Sequence, residues 1–374
     1  MSGFGIRALK KKSQDEIETT KSQYYKYIVC GENISGVLTF MNLYRKYPGE
    51  VKFITKNPYF KDEVLKEYQT TLPSIRSQKA ADALVALNPR LEVFKNKSES
   101  VFYKDTKFQS FEGRAKPHEM LELEKYFINT SYEMNFLGLF QNEEYENLDI
   151  LLKENQLHKI ISEIEVTTPT DLVEKSNFAI KTGEFESIKC EKLFYCESPR
   201  KFMSLISNKD MLTDIVSEFA TAIENTPAIV VQSKSSVKLY DQAGTVIIPQ
   251  SMTHDWGSFV VEFEAFQEDT QTQEFKSLMF LEGEQMQEEE LAKKIRHMKR
   301  VVERVFPELS QNEISSNIRY DHEYSLVGIN DGQYEALKKE NVRFLGHASS
   351  LPEGLSGDLS YLGRSIYAIL SEQF

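Results

Sequence analysis

Residues 25–44 read YKYIVCGENISGVLTFMNLY, and the short turn CGENISG carries the residues best placed for chemistry. That chemistry is anion binding. A dinucleotide-type turn needs a first glycine so that the chain can leave a strand sharply. It needs a second small residue so that backbone can approach a pyrophosphate, and a third glycine so that helix and strand pack closely. The helix N-terminus then offers free N–H groups and its dipole to the anion. Gly31 and Gly36 meet the first and third needs, and Ser35 adds a hydroxyl. Asn33 stands in the second place. Asparagine tolerates unusual backbone angles, but it is larger than glycine. Glu32, inside the turn, would repel a pyrophosphate if it turned inward.

The second half of such a site is an acid about 20 residues further on, at the end of the next strand, for ribose hydroxyls. Here VKFITK ends in Thr55-Lys56, with no carboxylate. A neutral residue followed by a cation suits a 2′-phosphate instead. NADP is therefore an alternative ligand, with Lys56 as its contact. The pattern G-x-N-x-x-G also describes a strand–turn–helix that holds no nucleotide, and at this point both readings stay open.

The elements around the turn follow from pattern. YKYIVCG is a short β-prone run ending at a glycine. NISGVLTFMNLYRKYP has near-helical apolar spacing and is stopped by Pro48-Gly49. EVKFITKNP reads as a second strand. Strand, helix and strand in this order predict a βαβ unit, hence a parallel sheet with a right-handed crossover. SQKAADALVALNPRLEVF predicts helix then strand. KPHEMLELEKYFINTSYEMNFLGLF and EEYENLDILLKEN predict helices. NFAIKTGEFESIKC alternates around Gly183 as a hairpin does. EKLFYCESP is a strand stopped by Pro199, with a helix after it. AIVVQSKSSV, GTVIIPQ, GSFVVEFEAF and FKSLMFLEG are β-prone, and EEELAKKIRHMKRVVERVFPEL is an amphipathic helix. The last stretch predicts strand, glycine, loop and terminal helix.

The chain has 374 residues and a formal net charge of −12, enough length for two or three domains. An acidic surface repels phosphate backbones, which argues against a nucleic-acid role. Cys30, Cys190 and Cys196 are too few and too unevenly spaced for a disulfide framework, and no Cys/His set has zinc spacing. With no apolar run long enough to span a membrane, a cytoplasmic protein is expected.

VRFLGHASSLPEGLSGDLSYLGRSIYAIL resembles the C-terminal motif of the flavin-containing amine oxidase and protoporphyrinogen oxidase superfamily. Gly346 matches the glycine of that motif, and His347 stands where the family has an aspartate. Gly363 and Ala368 are the small residues of its last helix. EKLFYCESPRKFMSLI is similar to the strand-then-proline return segment. The stretch from AIVVQ to FVVEF is similar to the substrate-domain sheet, with GTVIIP and WGSFVVEF paired. The likeness runs in order over most of residues 25–374. Asn33, Thr55-Lys56 and His347 depart from the family, as does the lack of a Gly-Gly-Arg run after the second strand; Arg76 and Lys79 are candidates to replace that arginine, though no spacing demands it.

The resemblance implies an α/β fold: an FAD/NAD(P)-binding Rossmann-like parallel-sheet domain with an inserted substrate domain of mixed sheet and helices. The expected division is a mobile basic arm (1–24), a nucleotide-binding domain (25–75, 150–205 and 335–374) and a substrate-type domain (76–149 and 206–334). It implies FAD as cofactor, a small-molecule substrate and hydride transfer to flavin. The candidate cofactor-binding residues are Gly31, Asn33, Ser35, Gly36, Lys56, Gly346 and His347. No catalytic residue can be named. Two other readings are a cofactor-free relative acting as a binding or scaffold module, and an NADPH-binding reductase. His118, His158, His254, His297 and His322 read as surface or packing residues, Tyr24, Tyr25 and Tyr27 as packing, and Cys30 as a buried small apolar residue.

Overall fold

A computed structural model describes residues 23–56, 75–95, 100–110, 132–135, 139, 147–169, 175–182, 186–241, 243–253, 258–281, 287–327, 331–346, 348–349, 355 and 361–372. Two seven-stranded sheets dominate it. The first is built on β1 (Gln23–Cys30), β2 (Val51–Thr55) and β10 (Ser187–Tyr195). β1 lies between β2 and β10, parallel to both. β7 (Gln156–His158) extends the sheet beyond β2, again in parallel. The far edge of β10 is shared. β9 (Phe178–Lys181) pairs antiparallel with its first half, and β16 (Val342–Phe344) pairs parallel with its last residues. β8 (Glu163–Val166) closes that side.

Parallel strands need both faces covered. Alternation along β1 supplies both. Val29 packs with Phe53, Phe194, α1 (Ile34–Lys46) and the terminal helix Tyr361–Ser371. Ile28 and Cys30 point the other way, toward Phe202, Phe219 and Phe344. Phe344 is an aromatic hub there, edge-on to Phe202 at 5.3 Å and stacked with Phe219 at 5.8 Å.

The second sheet runs β15 (Glu313–Val327), β11 (Glu224–Ser235), β14 (Gln273–Phe280), β13 (Phe259–Phe263), β12 (Gly244–Ile248), β4 (Val101–Lys104) and β5 (Lys107–Ser110). The 18-residue helix Glu288–Val305 lays Met298, Val301, Val302 and Val305 on it. A small third sheet pairs β3 (Glu92–Lys95) with β6 (Tyr132–Asn135).

The βαβ unit, the antiparallel pairing of Phe178–Lys181 with Ser187–Cys190, the GTVIIP–FVVEF pairing and the long amphipathic helix form as their patterns predict; Gly183 itself lies outside the described residues. One reading is corrected. Tyr132–Asn135 lies in a stretch read as helix, yet it is a strand because Glu92–Lys95 supplies an antiparallel partner. Gln23 and Tyr24, at the start of β1, pair with Ile188 and Lys189. Residues 1–22 of the expected basic arm lie outside the described residues.

Candidate functional site

The site is the crevice between the C-terminal ends of β1 and β10, where the strand order reverses about β1. In open α/β sheets ligands bind at such a switch point. Here protein atoms meet across it. Gly31 has φ +154°, and a Cβ on it would fall 2.8 Å from the Cβ of Cys196. A Cβ on Gly36 would fall 2.5 Å from the Gly31 carbonyl oxygen and 3.1 Å from the Phe53 ring. Gly346, with φ +157°, would place one 3.0 Å from the Cys196 carbonyl oxygen. The Cys196 N–H donates to the Cys30 carbonyl at 2.7 Å, and the Leu345 N–H to the Tyr195 carbonyl at 3.2 Å. The ends of β1, β10 and β16 are thereby tied together.

Asn33 is the N-cap of α1, in extended backbone (φ −146°, ψ 170°). Its Oδ1 accepts the Gly36 N–H at 2.9 Å, satisfying one of the unpaired donors of the first helical turn. Its Nδ2 donates to the Cys196 carbonyl at 2.8 Å. One side chain therefore spans the crevice from helix terminus to strand end. Beneath it the Ser35 hydroxyl is buried, with no hydrogen-bond partner among the described residues.

The rim is acidic. The Glu32 carboxylate accepts the backbone N–H of Lys56, at the end of β2. The Glu32 N–H donates to Glu197 Oε1 at 3.3 Å, and Glu197 is ion-paired with Lys201.

The remaining candidates scatter. The side chain of Lys56 is exposed, and that of Lys79 too. Arg76 is fully buried, but its guanidinium engages the Glu262 carboxylate and Thr245 Oγ1, on the second sheet. His347, His254 and His118 lie outside the described residues. His158 ends β7 exposed, His297 sits in the long helix and His322 in β15. Tyr27 packs on Tyr47 and Phe194. Burial pushes the Cys30 thiol well up, and the Cys196 thiol up to about 12 despite a hydrogen bond to Thr39. Both are inert thiols at neutral pH. Sequence reasoning missed Cys196 and Glu197 as parts of this site. Their one signal is their place at the end of the strand that returns beside β1.

No protein-family profile and no curated protein matches the sequence. Solved structures do. An oxidoreductase from Methanosarcina mazei superposes with TM-score 0.59 at 9% identity, over 93% of this chain and 100% of that one. Cyclohexylamine oxidase from Brevibacterium oxydans gives 0.59 at 10%, over 92% and 97%. Putrescine oxidase bound to putrescine gives 0.57 at 10%, over 93% and 98%. The chain has the amine-oxidase fold. It includes the parallel sheet with its first βαβ turn and the second mixed sheet.

That fold implies a flavin dinucleotide, and the residues at the turn can be tested against its diphosphate. They do not fit it. The helix N–H of Gly36 is already taken by Asn33 Oδ1. Gly31 and Gly346 are packed against Cys196, so neither position has room for a side chain. Two carboxylates, Glu32 and Glu197, line the rim where a second negative group would enter. The glycines of the turn serve close packing of strand ends here, and the Asn33 amide caps the helix and bonds the end of β10 beside them.

Proposed function

We propose that this chain uses the amine-oxidase fold as a binding module that holds no dinucleotide at its first turn. The observation that carries this reading is the Asn33 side chain, hydrogen-bonded to Gly36 on one side of the crevice and Cys196 on the other. A diphosphate would have to break both bonds, and a buried donor or acceptor left unpaired costs about 1–3 kcal/mol. The Glu32 carboxylate, anchored at Lys56, adds repulsion. Function then rests on the surfaces around the two sheets and not on electron transfer.

A second reading is favoured by the fold itself. The chain matches cyclohexylamine and putrescine oxidases over more than nine-tenths of its length. On that reading it is an FAD-dependent oxidoreductase that moves hydride from a small organic substrate to flavin. The flavin would supply the redox chemistry, and the protein would position the substrate and exclude water.

The visible spectrum of the purified protein separates the two. The binding-module reading expects a colourless protein. A yellow protein that releases flavin on denaturation supports the oxidoreductase. NADPH provides a further arm: tighter binding of NADPH than NADH, weakened in Lys56→Ala, supports a reductase, and equal indifference to both removes it.

A further inference from the structure

The first turn keeps the backbone frame of a diphosphate seat, though its side chains do not fit one. Gly31, Gly36 and Gly346 keep the strand ends and the helix in close approach. α1 begins at Ile34 with its N-terminus at the crevice, and its first turn carries no acidic residue. The Ser35 hydroxyl is buried beside that terminus without a partner among the described residues. At that terminus stands the Asn33 carboxamide, with the Glu32 and Glu197 carboxylates near it.

We propose that Asn33 is the residue that decides ligand specificity at this crevice, acting as a built-in plug in place of a diphosphate; this rests on the reading of the chain as a dinucleotide-free module. Its Oδ1 supplies the acceptor that a phosphate oxygen would supply to the Gly36 N–H. Its Nδ2 fixes the plug to the Cys196 carbonyl, so the side chain cannot swing aside without losing both bonds. Glycine at this position removes the plug and leaves the helix N–H groups open to an anion. Serine keeps an N-cap acceptor but is too short to span to Cys196.

The test is titration calorimetry of wild type, Asn33→Gly and Asn33→Ser with FAD, ADP and riboflavin. Circular dichroism and a melting curve establish that each variant is folded. Glycine is a tolerated N-cap, and the serine variant serves if the glycine variant fails to fold. The expected result is a gain of roughly tenfold or more in FAD and ADP affinity in Asn33→Gly, a smaller gain in Asn33→Ser, whose hydroxyl still takes the Gly36 N–H, and no gain for riboflavin, which lacks the diphosphate. If wild type and folded variants are equally silent, Asn33 is not the determinant, while the binding-module reading stands. If wild type binds FAD as tightly as the variants, both fall. A gain for riboflavin equal to that for FAD overturns the assignment to the diphosphate seat.

Discussion

A Cβ added to Gly31 would lie 2.8 Å from the Cβ of Cys196, across the gap between β1 and β10. Neighbouring strand ends are packed to contact there, and the φ of +154° adds backbone strain for any side chain. Gly31→Ala is expected to destabilise the protein by at least about 1–3 kcal/mol, the usual cost of overpacking. Gly36→Ala should cost more, because the obstacle at 2.5 Å is a backbone carbonyl that cannot rotate away. Urea midpoints of the two variants check both the sign and the order.

Arg76 and Glu262 form a buried ion pair that ties the segment before Gln78–Leu87 to β13 of the second sheet. The arginine side chain is 0% exposed and the glutamate 16%. Removing one partner strands a charge away from water, which typically costs about 3–5 kcal/mol. Glu262→Leu is expected to lose stability in that range. The double variant Arg76→Met, Glu262→Leu should lose less than the sum of the single variants, and a double-mutant cycle in denaturant measures the difference.

The three cysteines are all buried and unpaired with one another. Native protein should therefore react with no equivalent of a thiol reagent at pH 8, and unfolded protein with all three. The Cys196 thiol also carries a pH dependence. Its ordinary value of 9.0 is pushed up to about 12 in the folded state, mainly by burial. Above pH 9 the unfolded chain loses this proton while the folded one keeps it. Stability should then fall with pH between about 9 and 12, by about 1.4 kcal/mol per pH unit for each such thiol. A flat stability profile across that window would contradict the sealed environment.

Much of this architecture is legible in the sequence where the signal is local. The run from Tyr27 to Lys56 shows its strand, turn, helix and strand because apolar spacing and Pro48-Gly49 mark each boundary. Gly31 and Gly36 show their role because the turn demands them. Pairing across long separations is less visible. Tyr132–Asn135 carries a helical composition and becomes a strand only through Glu92–Lys95. β15 has no run of apolar residues to announce it, since its Ser315, Ser316 and Asn317 lie at an exposed sheet edge. Arg76 looks available to a ligand until Glu262 is brought to it by the fold. Asn33 is the sharpest case. Its type suits an N-cap, and that much is readable beside Gly36. Its second bond, to Cys196, depends on β10 lying next to β1, and no local pattern encodes that neighbour.

The most direct test of the dinucleotide-free turn is equilibrium dialysis of the purified wild-type protein against FAD, followed by denaturation and quantitation of released flavin. No flavin is expected to be retained above the dialysate level. One equivalent of FAD per chain, retained through dialysis and released on unfolding, would contradict it.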